Sequence, residues 1–191
     1  YGVSMGAASV MMCADVEGYP IRAIIEDCGF STLKGQLTHI VKRMVPKVPS
    51  GFLIFCLSLV LKIKAGYRIS DVDCMKHISH ARVPMLFLHG DHDSFISMHM
   101  MEDLYAVCPG QKEKMIIKGG RHASNDKLRP EEYWQCINDF LENIRWFSSS
   151  ENHFFLMCWC IIKSSERGPG YENQYSVSFV SMSDWRCRWS L

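Results

Sequence analysis

Three residues of this sequence have side chains that together could transfer an acyl group: Ser4, Asp93 and His122. A serine hydroxyl is a weak nucleophile unless a neighbouring base removes its proton, and histidine is the usual base at neutral pH. A carboxylate that accepts a hydrogen bond from the other ring nitrogen holds the histidine in the required tautomer and stabilises its cation. The three residue types therefore predict nucleophilic attack on a carbonyl carbon, provided that the fold brings them together.

Glycines flank the serine with the spacing Gly2-x-Ser4-x-Gly6, which is typical of a sharp turn between a strand and a helix. Side chains at these glycines would collide with the neighbouring strand and helix. Such a turn exposes the serine hydroxyl and directs the backbone N–H of Met5 toward the oxyanion that forms during the reaction. The five-residue pattern is weak by itself, because ordinary Gly-rich turns also match it.

The proposed acid follows an apolar segment that has the composition of a buried strand, and the proposed base follows another predicted strand. Asp93 follows residues 85–88 through a short polar loop, and His122 follows residues 113–118 and two glycines. In open parallel sheets, functional sites gather at the carboxyl ends of the strands. The positions of these two residues in the sequence therefore predict that they meet at one edge of a sheet.

Asp27 is an alternative acid, because it also follows an apolar run, at residues 21–25. We favour Asp93 over Asp27 and expect Asp91 to shape its loop. A cluster of possible metal ligands also lies in this loop, but most pairs of its side chains would point apart in so tight a turn. We therefore predict no metal site for the cluster His89, Asp91, His92 and Asp93.

The apolar segments alternate with helical patterns over residues 1–146. The order of strand, helix, strand, helical insert, strand, helix, strand and helix predicts an α/β fold with a parallel sheet flanked by helices. The insert, roughly residues 31–80, contains an apolar run of ten residues at 52–61. A membrane-spanning helix needs about 20 such residues. We expect this run to pack within the insert, and we favour that packing over contact with an acyl chain or a membrane surface.

Residues 83–93 resemble the acid-loop region of α/β-hydrolases, in particular bacterial serine hydrolases related to prolyl oligopeptidase (S9-like) and to acyl-thioester hydrolases. The chain order of serine, aspartate and histidine is also the order of that superfamily. The resemblance implies that Ser4, Asp93 and His122 form a catalytic triad. It also implies a helical cap near residues 31–80 over the active site. Further matching segments, within residues 1–146, are 23–33, 65–67, 108–113 and 119–123.

Two departures from the family pattern lead to further expectations. The family has several strands and an oxyanion-hole loop before the serine turn, whereas this sequence begins at Tyr1. We therefore expect an N-terminally truncated domain that lacks about half of the sheet, including the strand that leads into Ser4. It should contain Met5 as one oxyanion donor and lack the second. Residues 147–191 are rich in Ser, Trp and Cys, have no clear period and match nothing in the family. We interpret them as a tail that is disordered or artefactual.

The leading hypothesis is a serine hydrolase that cleaves an ester, thioester or peptide-like acyl bond without a metal or organic cofactor. Its expected partner is a small-molecule or peptide acyl substrate; its oligomeric state stays open. The alternative is a non-catalytic remnant or interaction protein derived from an α/β-hydrolase, acting through an exposed sheet edge. We expect little or no turnover from the 191-residue chain alone.

The composition excludes some classes of partner. Hydrophobic residues make up 48% and charged residues 21% of the chain, as in globular domains. The net charge of +1 predicts no broad affinity for nucleic acid or membranes. The nine cysteines lack the spacing of zinc sites, and we interpret most as buried apolar residues of a reducing compartment. The predicted location is the cytoplasm, although an N-terminal signal or membrane anchor could precede Tyr1.

Overall fold

A four-stranded parallel sheet forms the centre of the fold. The computed structural model describes residues 1–18, 21–146, 157–159 and 178–180. The strands follow one another in the sheet in chain order, and each pair of neighbours is parallel. Val3 pairs with Asp27, and Asp27 pairs with Leu88, so the strands end at the same edge. The strands of this sheet are β1 (Gly2–Val3), β2 (Ile24–Asp27), β3 (Met85–Gly90) and β4 (Lys112–Ile117).

Helices cover both faces of this sheet. The described helices are α1 (Met5–Met11), α2 (Leu33–Met44), α3 (Ser50–Ala65), α4 (Cys74–Ile78), α5 (Met98–Val107), α6 (Asn125–Leu128) and α7 (Pro130–Trp146), with a 3₁₀ turn at Ile69–Asp71. None of the helices in the described ranges is long and apolar enough to cross a membrane. Two further short strands, β5 (Met157–Trp159) and β6 (Ser178–Val180), pair antiparallel in a separate sheet.

Strand β3 divides the core into two layers, because its side chains alternate between the faces of the sheet. Met85 and Phe87 pack with α1, α4 and α5 on one face, whereas Leu86 and Leu88 pack with α7 on the other. Every residue of β3 is buried. This complete burial is typical of a parallel strand with helices on both faces, and it confirms the α/β fold class predicted from the sequence.

The structure corrects several details of the sequence-based prediction. Strand β2 begins at Ile24 and includes the two acidic residues that seemed to follow it. The strand that leads into Ser4 is present as Gly2–Val3. The short helices α4 and α6 were not predicted, and α4 begins where the Asp73 side chain accepts a hydrogen bond from the Lys76 N–H. The predicted tail, residues 147–191, lies outside the described residues except for β5 and β6.

The prediction that the apolar run at 52–61 packs within the insert is wrong for most of its residues. Ile54 is buried, but Phe52 and Phe55 are 66% and 67% exposed. The reason lies in the surroundings of α3, which packs against α2 and the 3₁₀ turn. One side of the helix therefore has neighbours, and its outer side faces solvent.

Glu26 is a fully buried carboxyl group in β2, on the face toward α1 and α4. Its Oε2 accepts a hydrogen bond of 2.9 Å from the Gly29 N–H, and its Oε1 has no partner among the described residues. Burial raises the pKa of Glu26 to about 8, and the neighbouring Asp27 carboxylate adds to the rise. The carboxyl group is therefore mainly protonated at neutral pH, since the neutral form is the cheaper one to bury.

Replacing Glu26 with Gln should make the fold more stable in alkaline solution. The pKa of Glu26 rises from 4.5 to about 8 on folding, so the free energy of unfolding falls as the pH rises through this window. Glutamine stays neutral, and the variant should exceed the wild type at about pH 9 by a few kcal/mol, since one pKa unit is about 1.4 kcal/mol. At about pH 5 the two proteins should be similar.

Urea unfolding at the two pH values measures this difference. Glu131→Gln is the matched control, because Glu131 is exposed on α7. The pH dependence of the control should follow that of the wild type. Equal pH dependence in Glu26→Gln and the wild type would show that Glu26 is ionised in the folded protein.

Candidate active site

The loops that follow the four strands of the main sheet lie at its carboxyl edge, and the residues with possible chemistry are on them. Ser4 directly follows β1, and Asp93 lies three residues after β3. His122 follows β4 through Gly119 and Gly120. The parallel register of the strands therefore places these three side chains together although they are far apart in the sequence.

The backbone of Ser4 has a conformation that residues other than glycine rarely adopt. Its φ is 57° and its ψ is −116°, and helix α1 begins at the next residue. A hydrogen bond holds this turn against β2, because the Ser4 N–H donates to the Asp27 carbonyl at 2.8 Å. A Cβ on Gly2 would lie 2.7 Å from the Ala7 nitrogen and would also clash with the Gly6 carbonyl. The steric reason inferred for the first glycine of the motif is therefore confirmed.

A continuous chain of hydrogen bonds joins the three side chains. Ser4 Oγ lies 2.8 Å from His122 Nε2. The other ring nitrogen, Nδ1, lies 2.7 Å from Asp93 Oδ2. Because an ionised carboxylate only accepts hydrogen bonds, the Nδ1–H of His122 is the donor to Asp93, and Nε2 of the neutral ring is left to accept from the Ser4 hydroxyl. The arrangement can move a proton from serine to histidine.

Asp93 is ionised although its side chain is fully buried. Burial by itself would raise its pKa, but the hydrogen bond with His122 and those from two backbone N–H groups outweigh burial and lower the pKa below its ordinary value of 3.8. The backbone donors are the N–H groups of Phe95 and Ile96, at 2.8 and 2.9 Å from Oδ1. The carboxylate thus has one oxygen bound to the loop and one directed at His122.

Two residues outside the predicted triad contact it, and of these the sequence indicated only His89, as a possible metal ligand that we rejected. His89 is buried behind Asp93; its Nε2 lies 3.1 Å from the Ile96 carbonyl and 3.7 Å from Asp93 Oδ2. Burial lowers the pKa of His89, so the ring is neutral and donates to that carbonyl. The Phe95 ring packs against the His122 ring with a centroid distance of 4.8 Å. A polar residue at the end of a buried strand was the available signal for His89, and none pointed to Phe95.

Asp27, the alternative acid, contacts other residues. Its Oδ1 accepts from Asn125 Nδ2 at 2.6 Å, and its Oδ2 accepts from the Tyr133 hydroxyl at 2.8 Å. The Tyr133 hydroxyl oxygen lies 2.8 Å from that of Tyr1 and accepts a hydrogen bond from it, because the Tyr133 O–H donates to Asp27. Burial raises the pKa of Asp27 to about 6. The geometry ties β2 to α6 and α7 through Asp27, while His122 binds Asp93.

Cys28 lies beneath the histidine and the aspartate. One ligand atom each from Cys28, Asp93 and His122 falls within 4.8 Å of the others, which makes a group that could hold a metal ion. However, the hydrogen bond between Asp93 and His122 already occupies their facing atoms, and burial raises the pKa of the Cys28 thiol, which keeps it protonated. A metal ligand must be deprotonated, so this environment does not favour a metal ion.

Close backbone contacts hold the loops of Asp93 and His122 against each other. A Cβ on Gly90 would lie 2.7 Å from Asn125 Oδ1 and would clash with the Gly120 carbonyl. Asp91 accepts a hydrogen bond of 2.6 Å from the Gly119 N–H. The role of loop shaping expected for Asp91 agrees with this bond. Gly90 and Gly120 thus let the loops approach closely enough for Asp93 to reach His122.

The helical insert also contacts the loop of Asp93. In α2, the buried Gln36 donates through Nε2 to the Phe95 carbonyl at 2.8 Å, and Arg43 donates to the Ser94 carbonyl at 2.8 Å. A cleft of about 600 Å³ opens between α2 and this loop. Its lining includes His39, Lys42 and Arg43 of α2 and residues of the Asp93 loop, Asp91 and Ser94 among them.

No family model matches the chain. An uncharacterized Bacillus subtilis protein, YqkD, is 29% identical over 149 residues, which is 75% of this chain and 47% of that protein. An uncharacterized membrane protein of Saccharomyces cerevisiae, YNL320W, is 24% identical over 142 residues, or 74% of this chain and 44% of that protein. The chain spans about half the length of the curated relatives it matches.

Solved structures of α/β-hydrolases are similar in fold. A Pyrococcus furiosus esterase has a TM-score of 0.55 and 18% identity, over 77% of this chain and 53% of the esterase. A metagenomic alpha/beta hydrolase from lagoon sediments in Morocco has a TM-score of 0.51 and 17% identity, over 74% and 59%. The Pyrococcus horikoshii acylaminoacyl peptidase has a TM-score of 0.54 and 12% identity, over 79% and 25%. The described sheet and helices therefore form part of an α/β-hydrolase fold.

Replacing Gly90 with Ala should loosen the site and destabilise the fold. The added methyl group would meet the backbone of Gly120 and the buried Asn125 side chain, neither of which can move freely. Overpacking of this kind costs about 1–3 kcal/mol. Thermal unfolding measures the loss, and Gly110→Ala is the control because the space around Gly110 is open. Equal stability of the two variants would contradict the close packing of these loops.

Proposed function

We propose that this chain carries the catalytic residues of a serine hydrolase that cleaves an ester, thioester or peptide-like acyl bond. The observation that supports the proposal is the chain of hydrogen bonds from Ser4 Oγ through both ring nitrogens of His122 to Asp93, with distances of 2.8 and 2.7 Å. Each bond has the length and the partners that activation of a serine nucleophile requires.

In the proposed reaction, Ser4 Oγ attacks the carbonyl carbon of the acyl substrate while its proton moves to Nε2 of His122. The ionised Asp93 stabilises the resulting imidazolium through the Nδ1–H bond. The tetrahedral intermediate then releases its alcohol, thiol or amine, which takes the proton from His122. Water attacks the acyl-serine in the second half, with His122 as base, and releases the carboxylic acid and free Ser4.

Met5 is the proposed donor to the oxyanion. It is the first residue of α1, and the first N–H groups of a helix have no carbonyl partner within the helix. The positive end of the helix dipole also favours the developing negative charge. A second donor is usual at such sites, and removal of one donor can cost about 10²–10³ in rate. The reaction as proposed needs no metal or organic cofactor.

The class of substrate is proposed from the chemistry and from the similar folds. Solved structures of similar fold include an esterase and an acylaminoacyl peptidase, both of which act on acyl groups according to their names. The proposed partner is therefore a small-molecule or peptide acyl compound. The S9-like or thioester hydrolase subtype, the domain boundaries and the cytoplasmic location stay predictions.

Ser4→Ala should abolish labelling by a fluorophosphonate probe and reduce ester hydrolysis by at least about 10⁴-fold, because no other group would attack the carbonyl. Asp93→Asn should reduce turnover by about 10⁴-fold, since the amide favours the wrong tautomer of His122. Both variants are measured in the longest protein that the gene encodes, with p-nitrophenyl esters of graded chain length and amino-acid arylamides.

Asp91→Asn is the matched control, because Asp91 lies in the same loop and the amide oxygen can still accept from the Gly119 N–H. Its turnover should change by less than about tenfold. Undiminished labelling of Ser4→Ala would refute the proposed nucleophile. A wild-type protein that folds but neither hydrolyses these substrates nor reacts with the probe would favour the alternative of a non-catalytic remnant.

A further inference from the structure

Much of the helical insert is far more basic than the net charge of the whole chain indicates. Between Asp27 and Asp71 the sequence contains no acidic residue and seven Lys or Arg residues. Because the net charge of the chain is +1, the rest of the protein has a net charge of −6. The segment between these two aspartates is therefore strongly basic, whereas the chain as a whole is nearly neutral.

The outer face of α3 is apolar along its whole length. Six of its exposed side chains follow the spacing i, i+3, i+4, i+7, i+8 and i+11, which aligns them on one side of a helix. Ile63 is the most exposed of them at 73%, and Val60 is still 52% exposed, whereas Leu57, which is 42% exposed, lies outside this row. This α3 stripe consists of Phe52, Phe55, Cys56, Leu59, Val60 and Ile63.

Basic residues lie at both ends of the α3 stripe. Lys62 and Lys64 stand on either side of Ile63, and Lys47 lies in the turn before the helix. Further exposed apolar side chains precede that turn, Met44 among them at 75% exposure. A contiguous apolar surface of this kind marks a site of interaction, and its basic border complements negative charge.

We propose that α3 docks on an anionic lipid surface, with the α3 stripe among the upper acyl chains and the lysines at the phosphate groups. This geometry is that of an interfacial helix with an apolar face and cationic flanks. Anionic lipids attract each nearby Lys or Arg at the surface of such a membrane. The proposal is independent of the hydrolase activity, because none of its residues belongs to the proposed triad.

Two other occupants fit the α3 stripe less well. Helix α3 has 16 residues, and at 1.5 Å per residue it is about 24 Å long, shorter than the hydrocarbon layer of about 30 Å. It therefore lies on a membrane and does not cross it. A second copy would meet this face with the same basic surface in a symmetric dimer, and the like charges would repel. An anionic lipid surface satisfies both the apolar stripe and the charge.

Sedimentation with lipid vesicles tests the proposal. The chain should sediment with vesicles in which about a third of the phosphatidylcholine is replaced by phosphatidylserine, and much less with phosphatidylcholine alone. High salt should release it, because salt screens the attraction. Phe55→Gln combined with Ile63→Gln should reduce binding at least about tenfold, since both side chains would lose their burial among acyl chains.

Leu128→Gln is the control, because Leu128 is 50% exposed on α6, outside the insert, and its loss should leave vesicle binding unchanged. Lys47→Gln combined with Lys64→Gln should weaken binding to phosphatidylserine vesicles by about fivefold per lysine. Circular dichroism of each variant verifies that it folds. Equal sedimentation with both vesicle types, or none, would overturn the proposal. So would a dimer in analytical ultracentrifugation that Phe55→Gln and Ile63→Gln abolish.

Discussion

The burial of one ionised carboxylate, Asp93, is the constraint on which the proposed site depends. A buried charge is costly unless hydrogen bonds replace the lost water. The backbone N–H groups of Phe95 and Ile96 donate to one oxygen and His122 donates to the other, so both oxygens of the carboxylate have hydrogen-bond partners. The neutral ring of His89 fills the space behind the carboxylate without competing for it. The loop must therefore adopt this one turn, and the turn fixes the position of His122.

The two buried acidic residues of strand β2 differ in their hydrogen-bond partners and in how far their pKa is raised. Glu26 faces α1 and α4, where one backbone N–H is its donor, and it is held neutral. Asp27 faces α7 and accepts from two side chains, which leaves its pKa raised less. At Glu26, Asp27 and Asp93 alike, burial raises the pKa of the carboxyl group, and the hydrogen-bond donors oppose that rise to different degrees.

The sequence was sufficient to predict the parallel sheet and the three residues that form the hydrogen-bonded chain. The glycine spacing around Ser4 and the strand patterns before Asp93 and His122 reflect local geometry, which a sequence pattern contains directly. The close approach of Gly90 to Gly120 and the burial of His89 depend on pairing between distant strands, so no local pattern reveals them. The same holds for α3, whose apolar run looked like core because its lack of neighbours is a property of the tertiary structure.

Helix α2 is fastened to the turn that contains Asp93, since Gln36 and Arg43 bind the carbonyl groups of Phe95 and Ser94. Phe95 in turn lies against the ring of His122. The insert and the loop of Asp93 are thus directly connected through α2, and α3 packs against α2 at the outer side of the insert. A force applied to the outer helix, whether by a surface or by a ligand in the cleft, would reach the imidazole through two hydrogen bonds and one ring contact. The position of the insert and the position of the imidazole are therefore physically linked.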